Sequence, residues 1–192
     1  MDLSELRARL QEITHTDSIN EHPLAIEALR LEFPLTIRLI SFADPTLPQN
    51  CFEWALDLCH ELAHWVAEWG LPDLFVGSKF VQELIPYLTP VPKSDVTEGD
   101  LVVYVEEEMP IHAGLIKESK VISKWGRGHI YLHGLLEVPS SYGNQIHFFR
   151  KPPASVVTTR FVQYVRDHPD YKAIDTIREE FEEKFNHLYN KE

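Results

Sequence analysis

Positive charge is scarce in this sequence. Eighteen Lys and Arg stand against 30 Asp and Glu, a formal net charge of −12. A nucleic-acid partner is therefore not expected, because displacing counterions from phosphates needs clustered basic side chains. Cysteine is nearly absent, with two in 192 residues, Cys51 and Cys59. That excludes a disulfide framework. If both lie on one helix, eight residues apart, their Cα atoms are about 12 Å apart, too far to bridge, so both are expected as free thiols of a reducing compartment. No apolar run approaches the roughly 18 residues of a membrane span. The opening MDLSELRARLQEI is charged and helix-like rather than signal-like. The expectation is a cytoplasmic protein with no membrane partner. Internal repeats and low-complexity segments are also missing.

What is present suits one domain. The chain is 44% hydrophobic and 11% aromatic, enough for a sizeable core. Residues 2–14 and 24–32 read as short helices. The β-branched stretch LTIRLISF (35–42) reads as a strand, and ADPTLPQN (43–50) as a loop. A long helix is expected over 51–69, ending at Gly70, and a shorter one over 78–88. The pattern then changes to short Val-, Ile-, Tyr- and Phe-rich runs at 101–105, 111–116, 120–125, 129–133 and 145–150, an antiparallel meander or small barrel. Helix returns after KPP, and Ile174, Ile177, Phe181, Phe185 and Leu188 make an apolar stripe. That stripe is expected to carry a solvated opposite face and offers a docking surface for a protein partner. The layout is α+β.

Two catalytic signatures overlap in NCFEWALDLCHELAHW (50–65). His60, Glu61 and His64 match H-E-x-x-H, in which two His one turn apart hold zinc and the Glu activates water. The metzincin extension is missing, since Ala67 and Gly70 stand where a Gly and a third His are required. Glu83 as a third ligand is selected by no surrounding pattern. On a continuous helix, Cys51, Ala55, Leu58, Leu62, Trp65 and Trp69 share one side, while Glu53, Asp57, His60, Glu61, His64 and Glu68 share the other. The His pair then belongs to a solvated acidic face, and neither metal nor other cofactor is expected.

The other signature is Cys51 itself. A cysteine in the first turn of a helix has its pKa lowered by unpaired N–H groups and the dipole. Asn50 is a favourable N-cap. Cys59 lies two turns further in and reads as inert. His112, in IHAGLI, is the candidate base, and Ala113 and Gly114 after it leave room for close approach to the sheet. The order NCFEWAL, then GDLVVY, then IHAGLI resembles the NlpC/P60 and CHAP families of papain-like cysteine hydrolases over about residues 45–150. The string SKWG…HIYLHGLLEVPSSYG resembles a group of bacterial proteins near that superfamily. The chain lacks the usual D-C-S-G, so peptidoglycan cleavage does not follow.

The resemblance implies a papain-like fold, with the Cys-bearing helix on a small antiparallel sheet or half-barrel. Helical extensions would flank it at 1–44 and 155–192 within a single domain spanning 1–192. It also implies a Cys51–His112 dyad or triad acting on a peptide, amide or protein substrate through an acyl-enzyme, as a peptidase, amidase or deamidase. A hairpin turning at Lys117–Lys120 sets Ser123 about opposite His112. His133, on the next strand, is chemically the better orienter. Either is a candidate third member. His129, His147 and Trp125 read as structural, and Arg150 as an ion-pair partner. A catalytically inactive papain-like interaction module is the competing class.

Overall fold

A computed structural model describes residues 2–16, 18–44, 49–58, 76–126 and 128–168. They form an α+β assembly around one six-stranded, wholly antiparallel sheet. The strands are β1 (Arg38–Ser41), β2 (Leu101–Glu106), β3 (Met109–Lys117), β4 (Lys120–Lys124), β5 (Ile130–His133) and β6 (Gln145–Phe149). Their order across the sheet is β1-β5-β4-β3-β2-β6. Every strand expected from β-branched and aromatic runs is present. Two hairpins at the centre use two-residue loops, Glu107–Glu108 and Glu118–Ser119, with all four residues at φ between 48° and 67°. Left-handed loops of this kind match the twist of the strands they join.

Alternation along the strands feeds two apolar cores, one on each face. On one face, Leu101, Val103, Val105, Ala113 and Phe149 pack with Phe52, Ala55, Phe80, Leu84 and Phe161. The helices there are α3 (Cys51–Ala55), α4 (Ser78–Leu84) and α5 (Ala154–Asp167). On the other face, Val102, Tyr104, Val121 and Tyr131 pack with Leu6 and Leu10 of α1 (Leu3–Thr16) and Ile26 and Leu29 of α2 (His22–Leu29). The described residues of 2–44 thus contribute to the core, closing one face and adding the edge strand β1. No helix among the described residues is long and apolar enough to cross a membrane. The apolar stripe at 174–188 lies outside the described residues.

The helix expected over 51–69 stops at Ala55. Asp57 takes a left-handed φ of 55°, Leu58 N–H donates to Glu53 O at 3.0 Å, and Asp57 N–H donates to Trp54 O at 3.4 Å. This 6→1 and 5→2 pairing is a Schellman stop, built on Asp, which tolerates the left-handed region better than most residues. Leu58 is buried inside it, and Lys151 pairs with the Asp57 carboxylate. The continuous two-faced helix therefore does not exist across this point. Glu53, expected on a solvated face, is 4% exposed, because it is part of the helix cap.

Candidate active site

Cys51 opens α3 under a full capping box. Asn50 Oδ1 accepts from the N–H groups of Phe52 (2.8 Å) and Glu53 (3.0 Å), while Glu53 Oε2 accepts from Asn50 N–H (2.7 Å). The cap is also tied to Val76, the start of the next described segment. Asn50 Nδ2 donates to Val76 O (2.9 Å), and Val76 N–H donates to Glu53 Oε1 (3.3 Å). Asn50 and Glu53 are both buried. These bonds satisfy the orphan donors of the helix start and fix where the Cys51 thiol sits.

That place is a break in the sheet. β3 pairs with β2 along its length, from Met109 to Leu115, but with β4 only from Leu115 to Lys117. Beyond Leu115 the two strands part, and α3 contacts both. The Cys51 sulfur takes the position a strand would occupy, facing the backbone N–H of Ala113 as well as those of Phe52 and of Cys51 itself. Gly114 lies just where the strands separate. A Cβ on it would meet Val121 Cγ1 at 2.7 Å, Ile122 O at 2.8 Å and Ser123 Cβ at 2.9 Å, so only glycine permits this approach.

His112 adjoins Ala113 and is 1% exposed. It projects to the face shared with Tyr104, its partner across the β2–β3 ladder. Its ring stacks on Tyr142, with centroids 4.0 Å apart and planes at 22°, and lies 5.5 Å from the Tyr104 ring. Neither Nδ1 nor Nε2 has a hydrogen-bond partner among the described residues. A buried imidazole with neither nitrogen hydrogen-bonded to protein is uncommon.

Two expectations about this centre are corrected. The Cys51 thiol is not lowered but pushed up to about 12. Burial dominates, and the three backbone N–H groups offset it only in part. A five-residue helix also supplies little dipole. His112 is likewise held well below the ordinary imidazole value by burial and, secondarily, by nearby His133. The resting pair is thus neutral thiol and neutral imidazole. The second correction concerns register. Leu115↔Ile122 and Lys117↔Lys120 extrapolate to Gly114 opposite Ser123, not His112. The offset of two residues keeps Ser123 on the same face and moves it one step along the strand.

Neither candidate third member is hydrogen-bonded to His112. Ser123 and His133 bond to each other, Oγ to Nε2 at 2.8 Å, and both are fully buried. His133 Nδ1 lies 2.8 Å from Gly134 O. A carbonyl only accepts, so Nδ1 carries the proton and Nε2 accepts from the Ser123 hydroxyl. Burial lowers His133 to about 4, against weaker opposing contributions from the Gly134 carbonyl and Glu137.

The surroundings are aromatic. Trp125 packs on Tyr131 (4.6 Å between centroids) and meets His133 and Tyr142 edge-on. Sequence reasoning missed Tyr142, for which SSYG signals only a turn. His129 accepts from Ala43 N–H at 2.7 Å, and His147 is exposed on β6. Arg150 pairs with Asp100 at 2.5 Å. Cys51 is a free thiol. Cys59, His60, Glu61 and His64 lie outside the described residues, and no group of three or more potential metal ligands occurs among those that are described. No protein-family model, curated protein or solved structure matches this chain.

Proposed function

We propose that the chain is a thiol hydrolase of papain-like, NlpC/P60-type architecture, acting on an amide or ester carbonyl of a peptide, protein or small amide. What supports this reading is a Cys51 sulfur facing the N–H of Ala113, the residue next along β3 to a buried imidazole neither of whose nitrogens has a hydrogen-bond partner among the described residues. In the reaction, the Cys51 S–H proton passes to a ring nitrogen of His112 as the sulfur bonds to the carbonyl carbon. The N–H groups around the sulfur stabilise the oxyanion. His112 then protonates the leaving amine, and water activated by the same imidazole releases the acyl group. Because the resting pair is neutral, His112 works as a general base in the encounter rather than as half of a standing ion pair.

Acylation by an activated ester at pH 7 tests the reading, since it offers the neutral thiol a carbonyl to attack while His112 takes the proton. Cys51 is expected to acylate in a burst that Cys51→Ala abolishes and His112→Ala slows sharply. A burst rate unchanged in His112→Ala would remove the enzyme reading. One observation favours the second reading, a papain-like shell used for binding: Cys51 is only 7% exposed. There, Cys51→Ala leaves every binding partner and phenotype intact.

A further inference from the structure

The hydrolase reading leaves His112 without a hydrogen-bonded orienter, because His133 and Ser123 are committed to each other. We infer that Tyr142 positions His112 by ring stacking, and that Arg7 of α1 fixes Tyr142 in turn. This inference rests on the proposed function and adds two residues to its site. Tyr142 ends the 3₁₀ turn Ser140–Tyr142, and its ring lies nearly parallel to the imidazole at 4.0 Å. A ring packed this closely face to face restricts rotation of its neighbour. Tyr104 closes the other approach at 5.5 Å. The imidazole is thus oriented by ring faces, leaving both nitrogens open for proton transfer.

The turn itself is gripped. Arg7 Nε donates to Val138 O (3.3 Å), and Nη2 lies within hydrogen-bond reach of Pro139 O (3.3 Å), Ser140 O (3.4 Å) and Gly143 O (2.5 Å). Gln11 Oε1 accepts from Ser141 N–H at 2.9 Å. Gly143 follows at φ 85°, and a Cβ there would strike the Val105 backbone at 2.7 Å. One side of α1 therefore specifies the course of the chain on both sides of Tyr142. A guanidinium suits this because its planar fork directs several N–H donors at once.

The titratable groups around His112 are Tyr104 from β2, Tyr142 from the turn and His133 from β5, with Cys51 of α3 acting on Tyr142 in turn. None carries charge at neutral pH in this setting. Burial holds the imidazole neutral, and the stacked Tyr142 ring covers one of its faces. Without the ring, His112 becomes hydrated and its protonation returns toward the ordinary value of about 6.5.

The test uses the full chain with ring-labelled histidine. In the native protein and in Tyr142→Phe, the His112 ring signals are displaced by the stacked ring. In Tyr142→Leu, which keeps apolar bulk without an aromatic face, they move to the values of an unstacked imidazole. Acylation of Cys51 by the activated ester falls by about 10- to 100-fold in Tyr142→Leu, the usual cost of a misplaced catalytic group. The acid limb of its pH profile moves up toward 6.5, and Tyr142→Phe restores both. Arg7→Gln, which leaves the ring chemistry untouched, shifts the same His112 signals in the same direction and serves if Tyr142→Leu does not fold.

Unchanged His112 signals and an unchanged acid limb in folded Tyr142→Leu overturn the positioning role. If instead the signals shift as expected but His112→Ala leaves acylation of Cys51 unaltered, the positioning role stands and the hydrolase reading falls.

Discussion

Replacing Asn50 by Ala removes three buried hydrogen bonds at once, and its cost can be built from the geometry. The Oδ1 atom serves Phe52 and Glu53 N–H, and Nδ2 serves Val76 O. Loss of an N-cap costs about 1 kcal/mol. The Val76 carbonyl, stripped of its donor in a buried setting, adds roughly 1–3 kcal/mol. A total of about 3 kcal/mol follows, allowing for partial relief by water. Asn50→Ser restores a capping oxygen but cannot reach Val76, so its cost is about half as large. Asn50→Asp keeps the cap, loses the donor and sets a second carboxylate beside Glu53, making it less stable than Asn50→Ser at pH 7. Urea unfolding with unchanged m-values reads the series. If Asn50→Ala lies within about 0.5 kcal/mol of the native protein, the cap does not hold the Cys51 helix in place and the site argument loses its footing.

Gly114→Ala is expected to destabilise by about 1–3 kcal/mol in the same assay, since its Cβ meets β4 from 2.7 Å outward. A neutral substitution would mean the strands can part there freely. His133 is lowered to about 4 in the fold against about 6.5 unfolded. Below the unfolded value the unfolded chain binds the extra proton, so stability falls as pH drops from 6.5 toward 4, by on the order of 3 kcal/mol. His133→Gln should flatten that part of the pH–stability curve, and an unaltered slope would contradict the assignment. Protein purified without a polyhistidine tag should contain far less than stoichiometric zinc by elemental analysis. Stoichiometric zinc lost on His60→Ala would reinstate H-E-x-x-H.

The strands were readable because they are Val-, Ile- and aromatic-rich runs bounded by turn residues, and all six lie where those runs lie. Both central hairpins lack the Asn-Gly or Asp-Gly signal, yet Lys117 and Lys120 mark one of them correctly. Periodicity missed the stop at 56–58, because Asp57 does not look like a terminator. The stop depends on burial of Leu58 and on Lys151, a residue 94 positions away. The Cys51 and His112 candidates came from order and local motif. The protonation of that pair could not, since burial is a tertiary property that overrode the local helix-start argument. Ser123 was selected by its place in the hairpin and His133 by its chemistry, but only the fold shows them engaged with one another. Tyr142 and Arg7 carry no local mark at all, because stacking across 30 residues and a grip across about 130 leave no pattern in the chain.

The gap between β3 and β4 has a mechanical consequence. The sheet is two three-stranded ribbons, β6-β2-β3 and β1-β5-β4, stapled directly at Leu115–Lys117 and Lys120–Ile122. Past that staple, the Cys51 turn stands where ladder bonds would otherwise join them. The Ala113 amide is therefore guarded by sulfur rather than by a neighbouring strand, and its exchange with solvent reports on whether the helix start is seated. The turn that carries the thiol thus fills the seam between the two ribbons, touching a strand of each.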